Sequence, residues 1–452
     1  MRRMRNKVTA QKIADVLASL FRSLRFDPDY ATALSWGGLV LVYSGKYFLF
    51  DAERHTDLLK LLQSQYGVIA QQSIEKNVQE MLQGLLKEII QAHDFKWDRD
   101  FRLSDISHSL VEQSRLLSAT ENLLEKLSAS IREYTVFVPL TGIELPIPNY
   151  NFGPVVLFRT EDSPPVVEAA DLLPDNIFGR LREAPCVVRV QIEGDAEFAR
   201  QDGMRQANQL AAILNLHLAI WSLDTDYQKI RCADILSPSV AIVLARTNLP
   251  NDNGILEPVY LQGVYNRGFN KPTVDSTLLN SIKGNGFDFL WECLNNKNPS
   301  NDELRKRVRR AVMWLDKSVK FDEIDAQFVG FATALEVLLV SRGSASNIAS
   351  TWGSITQQLA DRCAFLLGHD LKSTMEIARR VKKLYGTRSK IVHSGEQPTT
   401  EDLLDLAELT SNIILNFVQR GFSSFEHFET WIRHIQYSVN LDEINRFQEE
   451  TN

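Results

Sequence analysis

The fold is decided by the stretch FVGFATALEVLLV, which runs from Phe328 to Val340. Large apolar residues recur here in steps of four and three, the spacing that places side chains on one face of an α-helix. The run is too short to cross a membrane. Glu336 is its only charged residue, and an unpaired buried carboxylate is costly, so we expect Glu336 to have a cationic partner or to be protonated. The predicted core-facing stripe comprises Ile324, Phe328, Phe331, Leu335 and Leu338.

Three further helical patterns follow this stretch and predict a compact bundle of four helices. One carries Ile355, Leu359, Cys363 and Leu366, and the last carries Leu403, Leu406, Leu409, Ile413 and Phe417. Between them lies a segment that leads into Arg388 and His393. The polar run 295–302 contains a proline and predicts a linker before the bundle. We therefore expect an all-α domain over 300–440 and a tail over 441–452.

The first region, 1–132, is expected to be mostly helical with one β-hairpin. Two β-rich runs, 39–43 and 46–50, flank the two-residue turn at 44–45. Helical spacing follows over 74–89, and a seam with three- and four-residue steps covers 103–131. The seam suits either a coiled-coil dimer or a packed antiparallel helix pair.

The middle region, 133–294, is predicted to be β-rich or α+β. Short β-type runs are punctuated by proline and glycine, with one helical segment over 199–216. The expected strands cover 135–138, 155–158, 186–192, 240–244 and 259–261. The fold class predicted for the whole chain is therefore α+β and multidomain.

Composition limits the classes of function. A net charge of −7 argues against a chain that coats nucleic acid over its whole surface. The four cysteines lack metal-ligand or disulfide-like spacing, which favours a cytoplasmic setting and predicts no metal site. No phosphate-binding loop, dinucleotide fingerprint or zinc-protease motif occurs, so we expect no cofactor. The basic segments 301–320 and 372–393 suit a confined polyanion site, although solvated helix faces are the alternative.

The stretch YGTRSKIVHSG, from Tyr385 to Gly395, holds the candidate chemistry. Thr387 can cap the N-terminus of a two-turn helix, and Gly395 suits the left-handed position after its end. Arginine binds phosphate and histidine titrates near neutrality, which together suffice to cleave RNA without metal. Their spacing alone is weak, because Arg–His pairs with four to six intervening residues also occur at 102/108, 362/369 and 420/427. Only Arg388 and His393 share a short helix with predicted caps.

The segments 331–336, 355–362 and 384–393 (FATALE, ITQQLADR and LYGTRSKIVH) resemble, in this order, the HEPN superfamily and most closely its Apea-like branch. The resemblance covers about 300–420. The segment 134–146 also looks like the β-rich domain that precedes HEPN in this branch.

This resemblance implies a metal-independent endoribonuclease of the prokaryotic antiphage or toxin type, with a composite site on the axis of a homodimer. Arg388 would hold the scissile phosphate, and His393 would take or return a proton. Glu336 would orient one of them from the facing helix, although a salt bridge to Arg362 or a lysine is the alternative. Because Arg388 and His393 are five positions apart, and thus about 140° apart around a helix, a second copy of the helix is expected to complete the site.

Other residues are expected to contact RNA around this pair. Lys383 and Lys390 would add positive charge, although a solvated Lys390 is the alternative. Tyr385 could stack on a base or pack beside the helix start, and Ser389 could hydrogen-bond a phosphate. Many HEPN nucleases have Asn, Asp or His where this chain has Ser389. This difference keeps open a catalytically silent HEPN module that binds RNA or a protein partner. A structural dimeriser built on 103–131 is a third possibility, and residues 1–294 are expected to sense a phage or host trigger, with no membrane involved.

Overall fold

The computed structural model describes residues 2–27, 39–43, 46–92, 113–163, 184–223, 229–232, 241–247, 259–261, 271–295, 302–340 and 354–436. Within these ranges the chain is mixed α/β and mostly helical. None of the helices in them is both long enough and apolar enough to cross a bilayer. The chain forms two compact units. The first comprises Met1–Val136, Gln191–Asp202 and Ala245–Glu257, and the second comprises Phe137–Val190, Gly203–Leu244 and Pro258–Asn452.

The described residues of the first unit include four helices and a small antiparallel sheet. The helices are α1 (Arg2–Arg22), α2 (Ala52–Gln65), α3 (Gln71–Ala92) and α4 (Gln113–Ser130). The strands are β1 (Arg25–Asp27), β2 (Leu39–Tyr43) and β3 (Lys46–Phe50), in the order β1-β3-β2. Because Tyr43 pairs with Lys46, the predicted hairpin is confirmed; its turn, 44–45, lies outside the described residues.

Helix α4 uses its apolar stripe inside the first unit. Leu116, Leu123 and Leu127 are buried in the same core as side chains of α1 and α3. Of the predicted seam residues, Thr120 and Leu127 are fully buried, whereas Leu117, Leu124 and Ile131 are partly buried. The part of the predicted seam before residue 113 lies outside the described residues.

The β-rich middle region forms a sheet, as predicted. Its strands are β4 (Arg132–Thr141), β5 (Asn149–Asn151), β6 (Val155–Arg159), β7 (Cys186–Gly194), β8 (Arg231–Cys232), β9 (Ala241–Thr247) and β10 (Val259–Leu261). The strand order is β10-β9-β4-β7-β6-β5, and β8 pairs with β4. The predicted helix over 199–216 is α5 (Ala196–His217), and it is followed by α6 (Ala219–Leu223). Two short helices, α7 (Ser276–Gly284) and α8 (Phe287–Asn295), end this region.

The C-terminal part of the second unit is helical, as predicted. It comprises α9 (Glu303–Lys320), α10 (Ile324–Leu339), α11 (Ile355–Leu367), α12 (Leu371–Ser394), α13 (Thr400–Gln419) and α14 over 425–436. Four residues of the predicted α10 stripe are buried, as are all five of the predicted α13 stripe. On α11, Leu359, Cys363 and Leu366 of the predicted pattern are buried, whereas Ile355 is 47% exposed. It is the first residue of its helix, where the apolar face is only beginning.

Polar bonds join α9 to the strand-bearing part of the same unit. Asp316 is buried and accepts a hydrogen bond from Asn215 Nδ2 at 2.8 Å. At the carboxyl end of α9, Lys229 donates to the Phe321 carbonyl and Arg231 donates to the Lys320 carbonyl at 2.9 Å. Cations at this end of a helix are stabilised by its dipole. Most of the predicted linker, 296–301, lies outside the described residues.

The predicted helix start at Thr387 was wrong. Helix α12 begins after Asp370, whose carboxylate accepts from the Ser373 backbone N–H at 2.6 Å, and it continues through Thr387 to Ser394. The Thr387 hydroxyl instead approaches the Lys383 carbonyl within its own helix, at 3.4 Å. The predicted end is confirmed, because Gly395 has the left-handed φ of 66°.

Candidate active site

Helices α10 and α12 bring three of the predicted residues together. Tyr385 donates a 2.6 Å hydrogen bond from its hydroxyl to Oε1 of Glu336. The Nη2 atom of Arg388 lies 3.4 Å from the same oxygen. Tyr385 and Arg388 are three residues apart and therefore neighbours on one helix face. One carboxylate oxygen on α10 thus holds two successive turns of α12.

Glu336 has the cationic partner that its place in an apolar helix required. That partner is Arg388, whereas the alternative partner Arg362 pairs with Glu429 at 3.7 Å and donates to the Leu339 carbonyl. The side chains of Glu336 and Arg388 are each 24% exposed. The pair is therefore accessible at the edge of the bundle.

The phenol of Tyr385 keeps its proton while it donates this hydrogen bond. Burial, followed by the hydrogen bond to Glu336 and the negative charge of that carboxylate, raises the pKa of Tyr385 above its ordinary value. The phenol therefore remains a donor under all physiological conditions. The phenol serves to position Glu336. The sequence analysis, which considered base stacking or simple packing for Tyr385, did not predict this hydrogen bond. A tyrosine three residues before the arginine was the available signal, since that spacing aligns the two side chains.

Arg388 makes only part of the contacts that a guanidinium can make. Its 3.4 Å distance to Glu336 exceeds the 2.7–2.9 Å typical of charge-assisted hydrogen bonds. Its Nε is buried and has no acceptor among the described residues. The centre of the guanidinium lies 5.6 Å from the Tyr385 ring. The terminal nitrogens thus retain donors that can be offered to a phosphate at the partly exposed edge.

His393 lies on another face of α12. It belongs to an exposed stripe whose steps alternate between four and three residues, the spacing of a helix–helix seam. Gly386 is in the middle of this stripe, and a Cβ added there would meet nothing within 4 Å. Val392 beside the stripe is 50% exposed. The stripe comprises Met375, Arg379, Lys382, Gly386, Ser389 and His393.

Within one chain the structure therefore does not bring His393 to the contact between Glu336 and Arg388. The separation is the one expected for residues five positions apart on a helix, about 140°. The exposed stripe is long, regular and open at Gly386, which leaves it able to receive another helix.

The remaining predicted RNA contacts are distributed around α12. Ser389 is exposed on the stripe. Lys390 is exposed and forms an ion pair with Glu396 at 3.3 Å. Lys383 faces α13, where its ammonium lies 2.9 Å from Asp402. Of these three residues, only Ser389 belongs to the stripe that carries His393.

Within the described residues, no cluster of three or more His, Cys, Asp or Glu side chains is arranged to hold a metal ion. Comparison of the chain with protein-family models, with curated proteins and with solved structures finds no match. The chemical interpretation of the site therefore depends on the geometry of its own residues.

Proposed function

We propose that this chain is a metal-independent endoribonuclease of the HEPN type, from the Apea-like branch, and that it acts in the cytoplasm as an antiphage or toxin-type effector. One observation carries the proposal. Glu336 on α10 contacts Arg388 on α12, while His393 is exposed on the same helix. The site thus offers a positioned cation for a phosphate and a solvent-accessible group for proton transfer.

The proposed reaction is attack of a ribose 2′-hydroxyl on the adjacent phosphate. A bond forms between the 2′-oxygen and phosphorus, and the bond from phosphorus to the 5′-oxygen of the next nucleotide breaks. His393 takes the proton from the 2′-hydroxyl or returns one to the departing 5′-oxygen, a contribution of roughly 10²–10⁴-fold. Arg388 stabilises the negative charge that builds on the phosphate. The products carry a 2′,3′-cyclic phosphate and a 5′-hydroxyl.

Two copies of the chain are needed to complete this site. Arg388 and His393 diverge on one helix, and the exposed stripe on α12 is the surface through which a homodimer would form. In a two-fold arrangement each residue of the stripe meets the same stripe on the partner. Residues 1–294 are proposed to bind the phage or host trigger that controls cleavage.

A second candidate is a catalytically silent HEPN module that binds RNA or a protein partner. The observation that favours it is the ion pair itself, because Glu336 already neutralises part of the charge of Arg388. Ser389 also favours the silent module, since many HEPN nucleases have Asn, Asp or His at this position. In this case residues 1–294 and the bundle would together act as a sensor or scaffold.

The deciding experiment is cleavage of a total-RNA pool by the full-length chain in excess EDTA. Wild type is compared with His393→Ala and with His369→Ala, a control that removes another exposed histidine near the start of α12. Wild type and the control are expected to cleave, and His393→Ala is expected to be inactive. Product ends should be 2′,3′-cyclic phosphates.

The alternatives give different results. RNA binding without cleavage by the folded, dimeric wild type would favour the silent module. Equal cleavage by wild type and His393→Ala would exclude the proposed proton transfer. Cleavage that requires an added divalent metal would exclude the proposed metal-independent mechanism.

A further inference from the structure

A groove of about 400 Å³ lies on the outer face of α9, and its described lining includes no residue of the candidate active site. All of its described lining residues come from this helix. They recur in steps of three and four, so they form one continuous face. The lining residues are Lys306, Arg309, Arg310, Met313, Trp314 and Lys317.

The opposite face of α9 is a core face. It buries Leu304, Val308, Val312, Leu315 and Val319. The helix is therefore held in place by apolar packing, while the groove face is turned outward. A surface supported in this way is rigid, which lowers the conformational cost of binding.

The charges of α9 are divided between these faces. The acidic residues of α9 and its N-cap Asp302 form ion pairs outside the groove: Asp302 with Arg305 at 2.9 Å, Glu303 with Arg307 at 3.0 Å and Asp316 with Lys320 at 2.8 Å. Four of the six described lining residues are cationic and none is acidic. In a chain of net charge −7 this is a local positive field, which selects an anionic partner.

An aromatic and a thioether side chain lie among these cations. The Lys317 ammonium is 5.4 Å from the Trp314 ring centre, and Met313 is 41% exposed. Cations that follow a backbone, interleaved with an aromatic ring that can stack on a base, are the combination used by proteins that bind single-stranded nucleic acid. An acidic peptide would need the charges but not the ring. A lipid surface would need a broader apolar face than Met313 and Trp314 provide.

We propose that the groove on α9 binds single-stranded RNA, with phosphates on Arg310 and Lys317 and a base stacked on Trp314. The choice of RNA over DNA rests on the proposed function. From Lys306 to Lys317 the face extends over about 16 Å, from the helical rise of 1.5 Å per residue. It is long enough to hold a short segment of a strand and thus to anchor a substrate outside the cleavage site.

The test measures binding separately from cleavage. A fluorescent 2′-O-methyl oligouridine of about 12 nucleotides lacks the free 2′-hydroxyl that the proposed reaction needs, and it remains intact. Its binding to the full-length chain is followed by fluorescence anisotropy over a range of salt concentrations. Trp314→Ala is expected to weaken binding about tenfold, as base stacking on an aromatic ring requires, and Trp314→Phe should retain most of the affinity.

Charge reversal tests the phosphate contacts. Arg310→Glu/Lys317→Glu is expected to weaken binding more than tenfold and to lower the salt dependence by roughly one unit of slope per lost phosphate contact. Lys60→Glu is the control, because Lys60 is 74% exposed in the first unit, outside the groove. Thermal unfolding of every variant shows whether its fold is kept.

The outcomes separate this proposal from the proposed function. Wild-type affinity and salt slope in the folded groove variants, or no binding by wild type at low salt, would overturn the groove proposal. Equal binding of a polyaspartate peptide or of phosphatidylserine vesicles would also overturn it. Loss of oligouridine binding in the groove variants, with no cleavage of ordinary RNA by wild type, would support the groove and reject the nuclease.

Discussion

Arg388 and Tyr385 share one oxygen of Glu336, at 3.4 Å and 2.6 Å respectively. The shorter contact is the hydrogen bond from a phenol that keeps its proton. It fixes the carboxylate, and the carboxylate in turn limits where the guanidinium can move. The position of Arg388 is therefore set by an uncharged residue on its own helix as well as by the acid on α10.

The first prediction concerns this arrangement. Glu336→Gln keeps the shape and an acceptor for Tyr385 but removes the charge that holds Arg388. If Arg388 binds the scissile phosphate, its misplacement should lower the single-turnover cleavage rate by about tenfold to a hundredfold. Tyr385→Phe, which frees Glu336 without changing any charge, should have a smaller effect of the same sign.

Glu376→Gln is the matched control, because Glu376 is an exposed acid on α12 and should leave the rate unchanged. A near-normal cleavage rate in Glu336→Gln would show that the acid has no part in orienting Arg388.

The second prediction compares two glycines of α12. Gly386→Ala should raise the free energy of unfolding by about 0.5–1 kcal/mol, because the added methyl group has open space and alanine favours the helix. Gly395→Ala should lower it by about 1–2 kcal/mol, since φ is 66° at Gly395. Both changes add one methyl group, so urea unfolding of the two variants isolates the effect of backbone conformation.

A different result at Gly386 would also be informative. Gly386→Ala could instead be less stable than wild type, or lose a dimer that wild type forms. Either result would mean that another molecule occupies the space beside Gly386 in solution. The stripe on α12 would then be in close contact with a partner. An unchanged dimer in a more stable Gly386→Ala variant would argue against helix packing at this residue.

The sequence predicted the parts of the fold that depend on periodicity. The stripes of α10 and α13 and the hairpin at 39–50 follow from local spacing, and all are present. The start of α12 did not follow from a local signal. Thr387 has the chemistry of a helix cap, but extending an existing helix through Gly386 costs only about 1 kcal/mol, less than ending one helix and nucleating another.

The candidate site was predictable to a similar extent. The apolar surroundings of Glu336 indicated a cationic partner, but Arg362 and Arg388 both suited that role. The choice depends on how α10, α11 and α12 pack, which no local pattern specifies. Arg362 is instead fully buried, near Glu429 and the carbonyl of Leu339. The sequence showed the groove on α9 only as a basic segment. That its cationic residues lie on one face of the helix became apparent only when the buried face was known.

The third prediction concerns the isolated fragment 300–452. Removing the preceding residues would take away Asn215, which bonds the buried Asp316, and the two cations at the carboxyl end of α9. A buried oxygen that loses its donor costs about 1–3 kcal/mol, although Lys320 still pairs with the other carboxylate oxygen of Asp316. We expect the fragment to unfold at a lower temperature than the full chain, or to aggregate, as seen by circular dichroism and light scattering.

Asn215→Ala in the full chain tests the same contact without truncation. It should lower the free energy of unfolding by about 1–3 kcal/mol, whereas Asn280→Ala, which removes an exposed hydrogen bond to Tyr150, should cost less. A fragment as stable as the full chain would show that the bundle is independent of the strands, and would make it usable for tests of autoinhibition.

The fourth prediction concerns pH. Burial lowers the pKa of His217, at the end of α5, from 6.5 to about 4, and its Nε2 is buried without a hydrogen-bond partner among the described residues. The folded chain thus binds a proton at this ring less readily than the unfolded chain. The corresponding stability is fully present above about pH 6.5 and is lost as the pH falls through about 4.

Urea unfolding at several pH values between about 7 and about 4.5 measures this contribution. The loss of unfolding free energy that His217 causes over this pH range should be about 2–3 kcal/mol at most, because each pKa unit corresponds to about 1.4 kcal/mol. His217→Gln cannot take up the proton, so its free energy of unfolding should fall less on acidification than that of wild type. His369→Gln, which alters an exposed histidine, should follow wild type. If His217→Gln followed wild type as well, protonation of His217 would not be coupled to unfolding.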